Sequence, residues 1–190
     1  MEDLTILDPE TLLEAALKQM GFDSAAKFDT EATPLRWLRA IEEFCQGPPD
    51  VEAIMKDGFT PASSPGMVIE TDIPFRMLCE HHLFPAMGKA YIGYIPKDSM
   101  TGLSKMARLV DAFGVASPGT QEIITENIGR AIDEHLKPAG VAVVISSAHT
   151  CMETRGAHTP GVVTKTSFMH GLFRDSSDAR HEFLSLAGIK

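Results

Sequence analysis

Apolar positions along the chain follow two periods, and the changes between them mark the elements. Leu12, Leu13, Ala16, Leu17 and Met20 recur at helical spacing behind Asp8-Pro9-Glu10, which reads as N-cap, first-turn proline and first-turn carboxylate, and ahead of the stop Gly21. This predicts an amphipathic N-terminal helix. Thr33-Pro34 opens a second helix by the same logic, burying Leu38, Ile41 and Phe44 and ending before Gly47-Pro48-Pro49, with Asp23 to Glu31 as a linker. Arg36 and Arg39 share one face of it. After a short apolar piece, Val51 to Met55, the run Pro61-Ala62-Ser63-Ser64-Pro65-Gly66 reads as a loop and a boundary, which predicts a helical segment over 1–60 and the main domain over 61–190.

Beyond that loop the period shortens. Met67 to Leu78 has strand character, with Pro74 placing part of it at an edge or a bulge, and Lys89 to Pro96 supplies an antiparallel partner. Gly102-Leu103-Ser104-Lys105 then opens a helix that buries Met106, Val110 and Phe113, and Gly114 to Thr120 breaks it. Gln121 to Leu136 carries Ile124, Ile128, Ala131, Ile132 and Leu136 at helical spacing and stops at Pro138-Ala139-Gly140. Val141 to Ala148 is nearly continuous in apolar residues, as a central strand is; Val162 to Phe173 reads as another strand and Ser177 to Leu186 as a terminal helix. The order from Met67 is strand, strand, helix, helix, strand, strand.

Composition changes this picture little. With 190 residues, 44% hydrophobic and 23% charged, the chain can bury a sizeable core. A formal net charge of -9 argues against a nucleic-acid-binding surface, so an anionic substrate needs a basic pocket of its own. The first residues, Met1-Glu2-Asp3-Leu4, lack the basic start of a secretory signal, and no apolar run approaches the ~20 residues that span a bilayer. The cytosol is the expected compartment. Cys45, Cys79 and Cys151 are too few for a disulfide framework, and cysteines near histidines favour metal or catalysis in a reducing compartment; Cys45 is expected to be a buried thiol.

The chemistry gathers at Cys79-Glu80-His81-His82 and at His149-Thr150-Cys151, each at the end of a predicted strand. The spacing of Cys79 and His82 lets a turn aim a sulfur and an imidazole at one ion, and Cys151 can add a second sulfur. Such a set with an open fourth position is a catalytic zinc arrangement, leaving His81 and His149 for proton transfer. Spacing is equally compatible with a Cys79–Cys151 disulfide, or with a closed structural site in which His149 replaces His82. Lys105 and Arg108 lie near a helix N-terminus, where anions are favoured, and Arg155 follows the second motif. Each cation alone suits a solvated surface equally well. Glu122 could accept from two adjacent donors of a guanine edge or compensate the helix dipole.

Taken together these stretches resemble GTP cyclohydrolase I. Cys79-Glu80-His81-His82-Leu83-Phe84-Pro85, Tyr94-Ile95-Pro96, Gly102-Leu103-Ser104-Lys105, Arg108-Leu109-Val110, Gln121-Glu122, His149-Thr150-Cys151-Met152 and Arg155-Gly156 stand in that family's order. The endings Gly171-Leu172-Phe173-Arg174 and Arg180-His181-Glu182-Phe183-Leu184 are similar to it as well, so the resemblance runs from about Thr33 to the C-terminus. It implies an α+β architecture, the tunnelling fold, with an antiparallel four-stranded sheet carrying two helices between its middle strands. It implies a homodecamer of two stacked pentamers with sites between subunits, and conversion of GTP and water to 7,8-dihydroneopterin triphosphate and formate.

Carried over residue by residue, the resemblance makes Cys79, His82 and Cys151 ligands of zinc, which activates water for attack on guanine C8. His149 would assist at the imidazole ring of the base, His81 would protonate the ribose ring oxygen, and Ser104 would serve the later sugar rearrangement. Glu122, with Gln121 beside it, would bind the base, while Lys105, Arg108, Arg155, Arg36 and Arg39 would hold the triphosphate. Two stretches depart from the family's pattern: Gly114 to Thr120, apparently one residue longer, and Gly156-Ala157-His158-Thr159-Pro160-Gly161. The alternatives are a tunnelling-fold hydrolase acting on another purine nucleotide and a non-catalytic assembly protein that binds zinc or nucleotide.

Overall fold

The computed structural model describes residues 8–22, 32–62 and 66–189. The expected linker from Asp23 to Glu31, the chain start and the middle of the loop after Ala62 lie outside them. The contacts divide the chain into two units, Met1–Cys45 and Gln46–Lys190. In the first, α1 (Pro9–Gln19) and α2 (Ala32–Glu42) pack on each other. Asp8 caps α1 by accepting from the Thr11 amide at 3.0 Å.

The second unit runs α3 (Val51–Met55), β1 (Thr60–Pro61), β2 (Val68–Leu78), β3 (Pro85–Ile95), β4 (Ser99–Met100), α4 (Ser104–Gly114), α5 (Gln121–Leu136), β5 (Gly140–His149), α6 (Thr150–Glu153), β6 (Val163–Gly171), α7 (Leu172–Asp175) and α8 (Ser177–Leu186). Four strands form one antiparallel sheet in the order β2-β3-β5-β6, with α4 and α5 inserted in the chain between the middle pair. This is the α+β tunnelling-fold arrangement the sequence leads one to expect. The short β1–β4 pair and the one-turn helices α6 and α7 carry too few residues for a periodic signal. Because α3 packs on α4 and α5, the contacts divide earlier in the chain than the composition shift at the proline-rich loop.

Strict alternation in β5 explains its apolar continuity. Val141, Val143 and Ile145 face a core shared with α3, α4 and α5, while Ala142 and Val144 face a second core under α7 and α8. In the second core Phe173 and Phe183 meet edge to face, ring centroids 5.6 Å apart. Close helix–sheet packing passes over Gly129 of α5, where an added Cβ would stand 2.1 Å from the Phe168 ring. β6 stops short of the expected end at Phe173 because Gly171 turns the chain at φ 56° into α7.

Pro74 sits on the edge strand β2 opposite Lys89, where its missing N–H costs little. A bulge between Glu70 and Ile73 bends that strand, with Asp72 at φ 56° and bonded to Lys89 Nζ at 2.6 Å. Val68 packs on the first core and Ile69 on the second, so Glu70 shares the core face with Val68. One Glu70 carboxylate oxygen is buried without a hydrogen-bond partner among the described residues, as is the Thr101 hydroxyl. Burial pushes the Glu70 pKa up to about 7.

Candidate active site

β2 ends at Leu78, and the chain reverses through Cys79–Phe84 before β3. The turn is closed by the Cys79 amide donating to the Phe84 carbonyl at 3.0 Å and the Leu83 amide to the Cys79 carbonyl at 2.8 Å, with Leu83 at φ 53°. This brings Cys79 and His82 to the same side, as their spacing predicts. A parallel bridge joins Cys79 to Gly119: the Gly119 amide donates to the Leu78 carbonyl and the Glu80 amide to the Gly119 carbonyl, both at 3.0 Å. Four residues earlier, Val115 and Ala116 accept from the amides of Gln46 and Gly47 at 2.8 and 2.9 Å. The stretch that departs from the family's pattern is therefore tied at both ends, once to the turn that carries Cys79.

The second motif arrives from β5. Thr150 Oγ1 donates to the Pro85 carbonyl at 2.6 Å, pinning α6 to the start of β3 and setting Cys151 opposite Cys79. The sulfurs of Cys79 and Cys151 and a ring nitrogen of His82 all lie within 4.8 Å of one another. Both cysteines are buried and neither is in a disulfide, and His149 is engaged elsewhere. Burial, with the neighbouring Cys79 sulfur second, pushes the Cys151 thiol up. A cation held between the two sulfurs would replace their protons.

This group lines a cleft of about 360 Å³ with His81, Gln121, Glu122, His149, Gly119, Thr120, Met152 and Thr164. His81 is exposed, its Nδ1 3.6 Å from the Cys79 sulfur and its Nε2 3.9 Å from Glu80. Burial holds His149 below the ordinary imidazole range, with the Glu122 carboxylate opposing it. Glu122 stands exposed at the first turn of α5, beside the N-cap Thr120.

The remaining expected residues lie elsewhere in the chain. Ser104, Lys105 and Arg108 are on α4, which packs on β2; Lys105 is buried, and Ser104 and Arg108 are exposed. Arg155 follows α6, close enough to Cys151 to favour its thiolate. Arg36 and Arg39 are on α2 of the first unit. Among the described residues, no lysine or arginine lines the cleft. Cys45, expected to be buried, is exposed because α2 ends before it and leaves it in the following turn.

Sequence reasoning missed Ser147 and Thr166, which support the cleft from β5 and β6. A serine on the core face of an otherwise apolar strand was the available signal, since a buried hydroxyl needs a partner.

Residues 10–188 match the family model described as GTP cyclohydrolase I. The chain belongs to the GTP cyclohydrolase I family. It is 40% identical to the GTP cyclohydrolase 1 of Halalkalibacterium halodurans over 95% of this chain and 97% of that one. It is 38% identical to that of Methylococcus capsulatus over the same shares. The GTP cyclohydrolase 1 of Dictyostelium discoideum is 43% identical over 81% of this chain and 66% of its own length. A solved archaeosine synthase of the QueF-Like type, in the apo form, overlays 57% of this chain and 97% of its own at 16% identity and TM-score 0.48.

Proposed function

We propose that this member of the GTP cyclohydrolase I family is a zinc enzyme that converts GTP and water to 7,8-dihydroneopterin triphosphate and formate. The observation that carries the reading is the Cys79, His82 and Cys151 donor set within 4.8 Å, lying in a cleft with two further histidines and a carboxylate. Two sulfurs and one imidazole suit zinc and leave a coordination position for water. Zinc held by these residues would supply the Lewis acidity that makes water nucleophilic near neutral pH, the chemistry that opening guanine at C8 needs.

The chain's own residues do the rest. Glu122, exposed at the mouth of α5, accepts from two adjacent donors of the guanine edge and fixes the base in register. His149 meets the imidazole ring of the base and moves protons there, while His81 protonates the ribose ring oxygen. Ser104 serves the sugar rearrangement. Lys105, Arg108, Arg155, Arg36 and Arg39 hold the triphosphate; because no lysine or arginine among the described residues lines the cleft of one chain, α4 and α2 of neighbouring copies deliver theirs. That requires a homo-oligomer, and a decamer of two stacked pentamers fits it. The outer strands β2 and β6 each leave one edge unpaired among the described residues, a surface that joining copies would cover. The enzyme works in the cytoplasm on a soluble nucleotide, without a nucleic-acid or membrane partner.

Formate release from GTP, with and without a chelator, tests the reading. Chelator-sensitive formate, with a fluorescent pterin after oxidation and dephosphorylation, is expected. Zinc-loaded protein that leaves GTP intact would overturn it, and formate from a different purine nucleotide instead would reassign the substrate.

A further inference from the structure

Gln121 has the most completely engaged side chain in the cleft, and its partners define a direction. Its Nε2 lies 3.1 Å from the Ile145 carbonyl, 3.2 Å from the Thr164 carbonyl and 3.0 Å from Thr166 Oγ1. Carbonyls only accept, so this end of the amide is the NH2. The threonines agree. Thr125 Oγ1 donates to the main-chain carbonyl of Gln121 at 2.7 Å, and so must accept in its 2.6 Å contact with Thr166. Thr166 thereby spends its proton on Thr125 and turns a lone pair to the Gln121 amide, one of three acceptors that share its two hydrogens.

The other end is therefore the oxygen. Gln121 Oε1 accepts from Ser147 Oγ at 2.6 Å and stands 2.9 Å from His149 Nε2. An oxygen facing that nitrogen requires a hydrogen on it, since two lone pairs would otherwise oppose each other. Gln121 is buried at 1% exposure, so water cannot relieve the mismatch. His149 Nδ1 has no partner among the described residues, and the ring lines the cleft.

We infer that Gln121 is a positioning residue that holds His149 as the Nε2–H tautomer and makes Nδ1 the one ring atom that exchanges a proton with substrate. The inference rests on the GTP cyclohydrolase reading for the proton's destination. When His149 acts as base, the Nδ1 lone pair takes the substrate's proton and the Nε2–H stays on Gln121 Oε1. When it acts as acid, the same Nδ1 proton returns. The neutral amide gains and loses nothing.

Solid-state 15N NMR of histidine-labelled, zinc-loaded protein reads the tautomer, with His149→Asn identifying the signal, at pH about 8.5, two units above the ordinary imidazole value. A protonated Nε2 and bare Nδ1 are expected, and a protonated Nδ1 would overturn the assignment. In Gln121→Met, with zinc still stoichiometric, both tautomers are expected to appear and kcat for formate release to fall roughly 10-fold or more, with KM within about 2-fold. An unchanged kcat, or joint collapse of kcat, KM and zinc content, would reduce Gln121 to a packing residue. The NMR measurement uses no GTP, so a wild type inert towards GTP would sink the activity reading alone and leave the tautomer to be decided by its own spectrum.

Discussion

Replacing Glu70 by glutamine should stabilise the protein by an amount that grows as pH rises from 4.5 to about 7 and is full above that. Glu70 faces the core beside the β2 bulge with one carboxylate oxygen unpartnered, and burial raises its pKa from 4.5 to about 7. Below pH 4.5 the carboxyl is protonated in both folded and unfolded chains and costs nothing. Between 4.5 and about 7 the unfolded chain releases its proton while the folded one keeps it, so stability falls as pH rises. Above that window both states are ionised and the penalty is constant. The difference between about 7 and 4.5, at 1.36 kcal/mol per pH unit, sets a ceiling of about 3 kcal/mol. The side chain keeps some solvent contact, and screening reduces the penalty to about 1–2 kcal/mol. Glutamine keeps the shape without the charge. At pH 8.5 the Glu70→Gln variant should melt about 2–8 °C above wild type, and at pH 4.5 the two should nearly coincide. Thermal scans at matched protein concentration check this, since association also moves the midpoint. A gain of the same size at both pH values would refute the argument, because it would owe nothing to ionisation.

Three other changes probe the site and its frame. Cys151→Ala should abolish stoichiometric zinc by elemental analysis and take formate release with it, while far-UV circular dichroism stays native; retained metal would mean that Cys151 is no ligand. Glu122→Gln loses a charge-assisted pair worth about 1.5–3 kcal/mol, so steady-state kinetics should show KM for GTP up by roughly 10–150-fold with zinc content unchanged. Gly129→Ala drives a methyl group to 2.1 Å from the Phe168 ring and should cost about 1–3 kcal/mol in urea denaturation; a neutral result would mean the ring moves aside freely.

Much of this molecule is legible in the sequence because its signals are local. Helical spacing from Ile124 to Leu136 and the unbroken apolar run from Val141 locate α5 and β5, and two strand ends locate the Cys79, His82 and Cys151 donor set. The residues that arrange the ligands are less legible. Gln121 reads as a substrate contact from its place beside Glu122, yet its amide is spent on β5, β6 and His149, across 24 to 45 residues of chain. No pattern in a single element encodes a bond of that range. The cations are legible as residue types but not as a site, since neither Lys105 nor Arg108 of α4 lines the cleft of its own chain.

The bridge between Cys79 and Gly119 bears on how portable this centre is. A designer who transplants the Cys79–Phe84 turn onto another hairpin carries the sulfur and the imidazole but leaves behind the Gly119 backbone that bonds to the turn. Leu78 and Glu80 would then each lose a main-chain partner, and the ligands would inherit the wobble of an isolated turn. The transferable unit is the turn together with Val115–Gly119 and the Gln46–Gly47 backbone that anchors it, three segments distant in sequence. Insertions between Gly114 and Thr120 are best made at Ser117, the exposed residue between the two ties, where added length can bulge outward without disturbing the Cys79–Gly119 bridge.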